Sequence, residues 1–279
     1  MADIDLTMRD IYSARARIAP LVRKTPLVTS PTLTELTGSE IALKLENLQE
    51  TGSFKPRGAA NKVLSLEPEA RQRGVITVSS GNHGRALAYV AQRLGLRAVV
   101  CLYEKVPANK RDATRKLGAE VVVKGSTYEE ANEEAYRRVE KEGLEMIHPY
   151  DDPVVIAGQG TIGLELLEEF PDLDTVVVPL SGGGLLGGIA FALKSAEPKI
   201  HVVGVMMERG PAMVESLRAG RLVEIVEEPT LADALAGGII PNTYTFELLQ
   251  KTVDETVLVS EQEIAAAMAF ALERHHLVV

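Results

Sequence analysis

Residues 75–102 read VITVSSGNHGRALAYVAQRLGLRAVVCL. Val75–Val78 is a run of β-branched residues, and a turn of serines, glycines, Asn82 and His83 follows it. From Arg85 to Leu94 the apolar residues return at helical spacing, on Ala86, Leu87, Val90, Ala91 and Leu94. Gly95 then supplies the left-handed residue that helix ends favour, and Arg97–Leu102 is a second β-rich run. Strand, short turn, helix and strand in that order mean a parallel sheet covered by helices on both faces.

The same alternation extends in both directions. Further strands are expected at Ala42–Glu46, Glu120–Lys124, Thr175–Pro179, Val202–Met206 and Thr256–Val259. Amphipathic segments lie at Ala59–Leu66, Ala108–Leu117, Tyr128–Glu142, Gly160–Glu169, Leu186–Ser195 and Glu261–Arg274. Gly118 and Gly143 suit helix ends, and Thr127 and Ser260 suit helix N-caps. No repeat of solenoid period is visible. The stretch from Gly74 to Met146 forms one set of three strands and three helices, and the segments on either side of it share a second sheet. The expectation is an α/β protein of two lobes, with a ligand in the cleft that the strand C-termini face.

Composition narrows the functions open to such a fold. The chain has 279 residues, 46% of them hydrophobic and 25% charged, as in ordinary globular proteins. A net charge of -9 argues against a nucleic-acid partner. No stretch approaches the roughly 18 to 20 uninterrupted apolar residues of a membrane span. The N-terminal MADIDLTMRDIYSARARI lacks the charged-then-apolar pattern of a secretion signal. The single cysteine, Cys101, sits inside a strand pattern and reads as a packed thiol. The cytoplasm is the expected compartment.

Three motifs at element junctions carry the chemistry. In Ser53-Phe54-Lys55-Pro56-Arg57-Gly58-Ala59, proline suits the first helical position, which puts Lys55 just before a helix. An ammonium is disfavoured at a helix N-terminus, so such a lysine gives up its proton more readily and can attack an aldehyde. In Ser79-Ser80-Gly81-Asn82-His83-Gly84, a strand-to-helix turn directs backbone N–H groups outward as an anion site suited to a carboxylate. Asn82 is also placed to donate to a phenolate-like oxygen. His83 on its own reads as a structural histidine, because no triad partner stands near it in sequence. In Ser181-Gly182-Gly183-Gly184-Leu185-Leu186-Gly187-Gly188, consecutive glycines between a strand and a helix let amides close around a phosphate. This is neither a P-loop nor the dinucleotide fingerprint, since no Gly-Lys-Ser/Thr or distal acid follows at the right spacing. A lysine nucleophile, an oxygen clamp and a phosphate cradle together suit pyridoxal phosphate and an amino acid.

SFKPRGA, SSGNHG and SGGGLLGG stand in the order and spacing of the fold-type II pyridoxal-phosphate enzymes, and the chain resembles their threonine/serine dehydratase and serine racemase branch. The resemblance runs from about Ile11 to the last residue. GNHGRALAYVA, PTLADALAGGI and VLVSEQEIAAA look more like the hydroxyectoine-utilisation dehydratases than the biosynthetic threonine deaminases. It implies a tryptophan-synthase-β-like architecture of two lobes with pyridoxal 5'-phosphate in the interdomain cleft. Residues 1–51 plus 147–279 would form the large cofactor-binding domain, and residues 52–146 the small domain with the substrate-carboxylate loop. Relatives continue past the segment His276–Val279 to a Ser or Thr that bonds the pyridine nitrogen, so part of the large domain is expected to lie outside these 279 residues.

Carried over position by position, the resemblance makes Lys55 the Schiff-base lysine and the base for the substrate Cα proton. Phe54 matches an aromatic position beside the cofactor, and Asn82 the asparagine that bonds the ring oxygen. Ser181, Gly182, Gly183, Gly184 and Leu185 match the phosphate loop, whose first residue is usually glycine. Ser79, Ser80, Asn82 and His83 match the carboxylate loop, and Ser80 stands where the racemase has its second acid/base. No metal is expected: Met206 stands where the racemase-like branch has a glutamate, and Glu208 reads as a loop acid. The implied activity is α,β-elimination of water from a 3-hydroxy amino acid of the threonine/serine type in a homodimer. A hydroxyectoine-derived 3-hydroxy amino acid, serine racemisation, β-replacement and a catalytically silent amino-acid-binding subunit are the alternatives.

Overall fold

Nine strands alternate with helices in the computed structural model, which describes residues 5–79, 81–226 and 228–279. They are β1 (Leu27–Thr29), β2 (Ala42–Lys44), β3 (Val75–Val78), β4 (Ala98–Leu102), β5 (Glu120–Val123), β6 (Glu145–Met146), β7 (Thr175–Pro179), β8 (His201–Met207) and β9 (Glu255–Val259). All seven expected strands form, within one or two residues at each end. Two short ones, β1 and β6, were not expected. The chain divides into two compact units, one made of Arg9–Arg23 with Gln49–Gln159, the other of the segment up to Met8, Lys24–Leu48 and Gly160–Val279.

The first unit is built on a parallel sheet of order β5-β4-β3-β6. Every residue of β3 and β4 is buried, as a parallel sheet covered on both faces requires. Alternation assigns the faces. Val75, Val100 and Leu102 pack with Ala59, Val63, Leu87 and Val90, from the helices Pro56–Ser65 and Asn82–Leu94. Ile76, Val78, Val99 and Cys101 pack with Ala131 and Ala135 of the helix Tyr128–Glu142. Cys101 is fully enclosed and desolvation raises its pKa to about 11, so it is the inert strand thiol the sequence suggests. Thr127 caps its helix in a capping box with Glu130, as expected.

The strand order places the site. From β3 the chain moves outward through β4 to β5, then returns to put β6 on the other side of β3. The direction of winding therefore reverses between β3 and β6, and open α/β sheets bind ligands beyond the strand C-termini at such a switch point. The residues that follow β3 and β6 are the Ser79–Gly84 turn and the strip Ile147–Asp152.

The helix Pro153–Glu169 starts seven residues before the expected Gly160. Its sequence VVIAGQGTIGLELL is apolar nearly all round, so it shows no clear amphipathic period. Asp152 caps it, its Oδ1 accepting from the N–H groups of Val154 (2.8 Å) and Val155 (3.2 Å), with Pro153 next. This helix meets Pro56–Ser65 at paired glycines. A Cβ on Gly158 would lie 2.6 Å from the Arg57 carbonyl oxygen and 2.7 Å from the Gly58 Cα. Asn61 Nδ2 donates to the Val154 carbonyl at 2.7 Å, and Lys62 pairs with Asp152 at 2.6 Å. The helix that follows Lys55 is thus fixed at several points along its length.

The second unit has an antiparallel pair β1-β2 and a parallel sheet of order β7-β8-β9. On one face the helices Gly184–Ala196 and Tyr244–Thr252 pack together, and a Cβ on Gly187 would come within 2.8 Å of Leu248. Burial along β7 alternates, and Val177 is 63% exposed, so cover on both faces is not reached there among the described residues. Ser260 is the N-cap expected of it, and it forms a capping box with Glu263. Lys44 on β2 is buried against the acids of the helix Pro153–Glu169. Its Nζ lies 2.8 Å from Glu165, 3.2 Å from Glu169 and 2.7 Å from the Thr25 carbonyl.

Candidate active site

Lys55 is the residue immediately before the helix Pro56–Ser65, in αR conformation, with Pro56 at the first helical position. Its Nζ donates to the Pro149 carbonyl at 2.8 Å and lies 5.1 Å from the Phe54 ring centroid. The side chain as a whole keeps partial exposure, but protein crowds the ammonium, and desolvation lowers its pKa from 10.5 to about 8. The sequence reading anticipated a readily deprotonated lysine from the helix dipole; burial is the physical cause found. Capture of an aldehyde by the free amine is accordingly expected to accelerate as pH rises through about 8 and to level off above it. Stopped-flow absorbance with the cofactor-stripped protein across pH 6–11 measures this. A midpoint near the ordinary lysine value would contradict the desolvated setting.

The turn after β3 begins with Ser79, whose Oγ accepts from the Gly81 N–H at 3.3 Å. Asn82, half-buried, is the first residue of the helix Asn82–Leu94, so the turn's amides point out of a helix N-terminus. A side chain at Gly84 would meet the Ser79 carbonyl at 2.8 Å and Val100 at 3.0 Å, so only glycine lets the turn lie this close to the sheet. Ser80, expected as a second acid/base, lies outside the described residues.

His83 is 2% exposed, and its Nε2 lies 3.0 Å from the Ile147 carbonyl, which also accepts from Thr77 Oγ1 at 2.8 Å. A carbonyl only accepts, so Nε2 carries the proton and Nδ1 is a bare acceptor. That Nδ1 is buried with no hydrogen-bond partner. Desolvation, then the nearby Lys55 charge, hold the imidazole pKa down to about 3, so His83 is neutral at every working pH. The same group ties the turn after β3 to the end of β6.

The strip His148-Pro149-Tyr150-Asp151-Asp152-Pro153 was not singled out in the sequence. It provides the Lys55 acceptor, the helix cap, and the His148 ring, whose Nδ1 accepts from the N–H groups of Tyr150 (3.3 Å) and Asp151 (2.8 Å). The one sequence clue was the Asp152-Pro153 pair, a combination that suits a helix start.

In the second unit, Ser181-Gly182-Gly183 joins β7 to the helix Gly184–Ala196. Gly183 has φ +89°, and a side chain there would meet Leu249 at 2.7 Å and Thr245 at 3.0 Å. Gly183 and Gly184 are buried, while Ser181, Gly182 and Leu185 keep partial exposure. Thr245 Oγ1 donates to the Gly182 carbonyl at 2.7 Å, a contact that sequence reading did not foresee. Among the described residues no group of three or more His, Cys, Asp or Glu side chains could hold a metal ion. No described helix is long and apolar enough to cross a membrane.

A lysine of lowered pKa at a sheet switch point and a left-handed glycine turn at a helix start are what an aldehyde-bearing phosphate ester needs, and the sequence pattern described as "Pyridoxal-phosphate dependent enzyme" matches residues 18–279. The chain belongs to that family, with the fold-type II architecture, and its cofactor is pyridoxal phosphate. It is similar, more particularly, to an L-threonine ammonia-lyase of Thermotoga maritima, 48% identical over 96% of this chain and 67% of the relative. It is likewise similar to a catabolic L-threonine dehydratase of Staphylococcus aureus, 43% identical over 96% of this chain and 78% of the relative. Among solved structures, maize serine racemase superposes with a TM-score of 0.95 at 33% identity, covering 98% of this chain and 83% of that one. The residues present fit the cofactor: Lys55 offers an amine whose pKa is lowered to about 8, and Ser181–Gly183 lead with positive-φ Gly183 into a helix N-terminus that suits a phosphate.

Proposed function

We propose that the protein eliminates water from a 3-hydroxy amino acid of the L-threonine/L-serine type, giving a 2-oxo acid and ammonia. The observation that carries this reading is the desolvated Lys55 amine on the Pro149 carbonyl, at the switch point that the Ser79–Gly84 turn also borders. When bound, pyridoxal phosphate supplies the electron sink that lets a Cα–H bond break. Lys55 would hold the cofactor's aldehyde carbon and, once released there in exchange for the substrate's own amine, would as a neutral amine take the Cα proton at Nζ. The backbone amides around Gly81–His83, with Ser79 and Ser80, hold the substrate carboxylate, and Asn82 donates to the cofactor's ring oxygen. His83 keeps that turn anchored through Nε2, and its amide rather than its ring donates to the substrate. Phe54 walls the ring, and Ser181–Leu185 hold the phosphate with their amides. In this assignment residues 1–51 with 147–279 form the large cofactor-binding domain and residues 52–146 the small domain that carries the substrate-carboxylate loop, in a cytoplasmic homodimer; light scattering on the purified protein tests the dimer.

Racemisation is the second reading, favoured by the likeness to maize serine racemase. Both are tested by incubating the holoenzyme with L-threonine, L-serine and other 3-hydroxy amino acids, assaying 2-oxo acid and ammonia and resolving the remaining amino acid by chirality. Elimination predicts equimolar 2-oxo acid and ammonia. Inverted substrate without ammonia would replace it with racemisation, and neither product would reject both.

A further inference from the structure

The geometry points to Thr245, itself oriented by Thr243, as a positioning residue that turns the Gly183 amide toward the cofactor phosphate. This rests on the reading of Ser181–Leu185 as the phosphate loop.

The Gly182 carbonyl can only accept, so the single hydroxyl hydrogen of Thr245 is committed to it across 2.7 Å. Thr245 Oγ1 also lies 2.8 Å from Thr243 Oγ1. With the Thr245 hydrogen already committed, Thr243 must be the donor in that contact. The relay therefore has one direction: Thr243 to Thr245 to Gly182. Both threonines are buried, at 3% and 0% exposure, so water does not compete for these bonds. Thr243 stands at the N-cap of the helix Tyr244–Thr252, where a threonine oxygen ordinarily accepts from a helix N–H, yet it makes no side-chain cap bond there. Its hydroxyl serves the relay.

The consequence for the loop follows from peptide geometry. In a planar trans peptide the C=O of one residue and the N–H of the next point in opposite directions. Anchoring the Gly182 oxygen on Thr245 thus aims the Gly183 N–H away from the helix Tyr244–Thr252. Gly183, having no side chain, does not by itself fix the orientation of this peptide. It sits at φ +89°, with Leu249 and Thr245 filling the space a side chain would need. Without the hydroxyl, the 182–183 peptide is free to rotate and an amide donor is lost from the loop.

The test uses the full chain stripped of cofactor and titrated with pyridoxal 5'-phosphate and, separately, with pyridoxal, followed by near-visible absorbance and circular dichroism. Thr245→Val keeps the side-chain shape and removes the donor; Thr245→Ser keeps the donor. Thr245→Val is expected to weaken pyridoxal phosphate about tenfold to a hundredfold, the range of one hydrogen bond to a charged group, with pyridoxal changed less than about twofold. Thr245→Ser should bind both nearly as the parent does. Unchanged phosphate-ester affinity in Thr245→Val, or equal losses for both ligands, would overturn the proposal, the latter by marking a general structural role. If Thr245→Val fails to fold, Thr243→Val carries the same test: a smaller loss confined to the phosphate ester supports the relay, and an unchanged ratio of the two constants refutes it. A parent protein that binds pyridoxal as tightly as its phosphate would instead remove the phosphate-loop reading itself, and the relay with it.

Discussion

Lys55→Ala is expected to lose the near-visible band of a covalently held cofactor and to lower 2-oxo acid production by at least about a thousandfold. The amine has two duties in sequence, bonding to the aldehyde and taking the Cα proton, and alanine can do neither. The fold should not suffer. The folded-state pKa lies below the ordinary lysine value, so the protonated form is disfavoured in the folded protein. That cost is fully present below about pH 8, shrinks as pH rises toward 10.5, and is absent from the alanine variant. The cofactor-free variant is therefore expected to melt at or above the parent's temperature at pH 7. Absorbance, turnover and thermal denaturation on one preparation check all three points. Full turnover in the variant would dismiss Lys55 from the chemistry.

Lys44→Met should give the largest loss of stability, about 3 to 5 kcal/mol. The Lys44 side chain is 9% exposed and that of Glu165 is 7%, and the pair closes at 2.8 Å. Lys24 lies against Glu169 and Glu168, at 3.2 and 3.7 Å. Methionine fills the lysine's space but leaves a buried carboxylate facing it. The double variant Lys44→Met with Glu165→Leu should recover most of the loss, because a buried pair is worth little more than well-packed apolar residues. Urea denaturation of the parent and both variants measures this. A loss below about 1 kcal/mol in the single variant would mean the pair behaves like an exposed one.

The sequence revealed those parts of the fold whose cause is local. Val75–Val78 and Ala98–Leu102 are β-branched because they are buried on both faces, so the runs were visible without the sheet. The capping boxes at Thr127 and Ser260 lie within four residues and were equally legible. By contrast, β6 is two residues long and exists because Val75 and Ile76 pair with it. The helix Pro153–Glu169 was only half read, because burial all round erases the period that marks an amphipathic helix. Helices such as Ala212–Ala219 and Tyr244–Thr252 carried no motif to draw attention to them.

The candidate site divides in the same way. Lys55 and the two glycine turns announce themselves, because proline fixes the backbone where it stands and glycine admits conformations that other residues avoid. What completes each of them comes from far along the chain. Pro149 is 94 residues from Lys55, Ile147 is 64 from His83, and Thr245 is 63 from Gly182. Two of the three distant partners are backbone carbonyls, which any residue can supply, so no residue type marks them in a sequence. The depressed pKa of Lys55 is of the same kind: its direction could be anticipated, but its cause is burial that only the folded chain creates.

The backbone-to-backbone contact at Gly58 and Gly158 sets limits for anyone redesigning this protein. A Cβ at either position would come within 2.8 Å of backbone atoms of the facing helix, so random libraries will return these two sites almost unchanged. New substrate preferences will have to be sought by varying peripheral loops around a fixed nucleophile, not by shifting the nucleophile toward a new molecule.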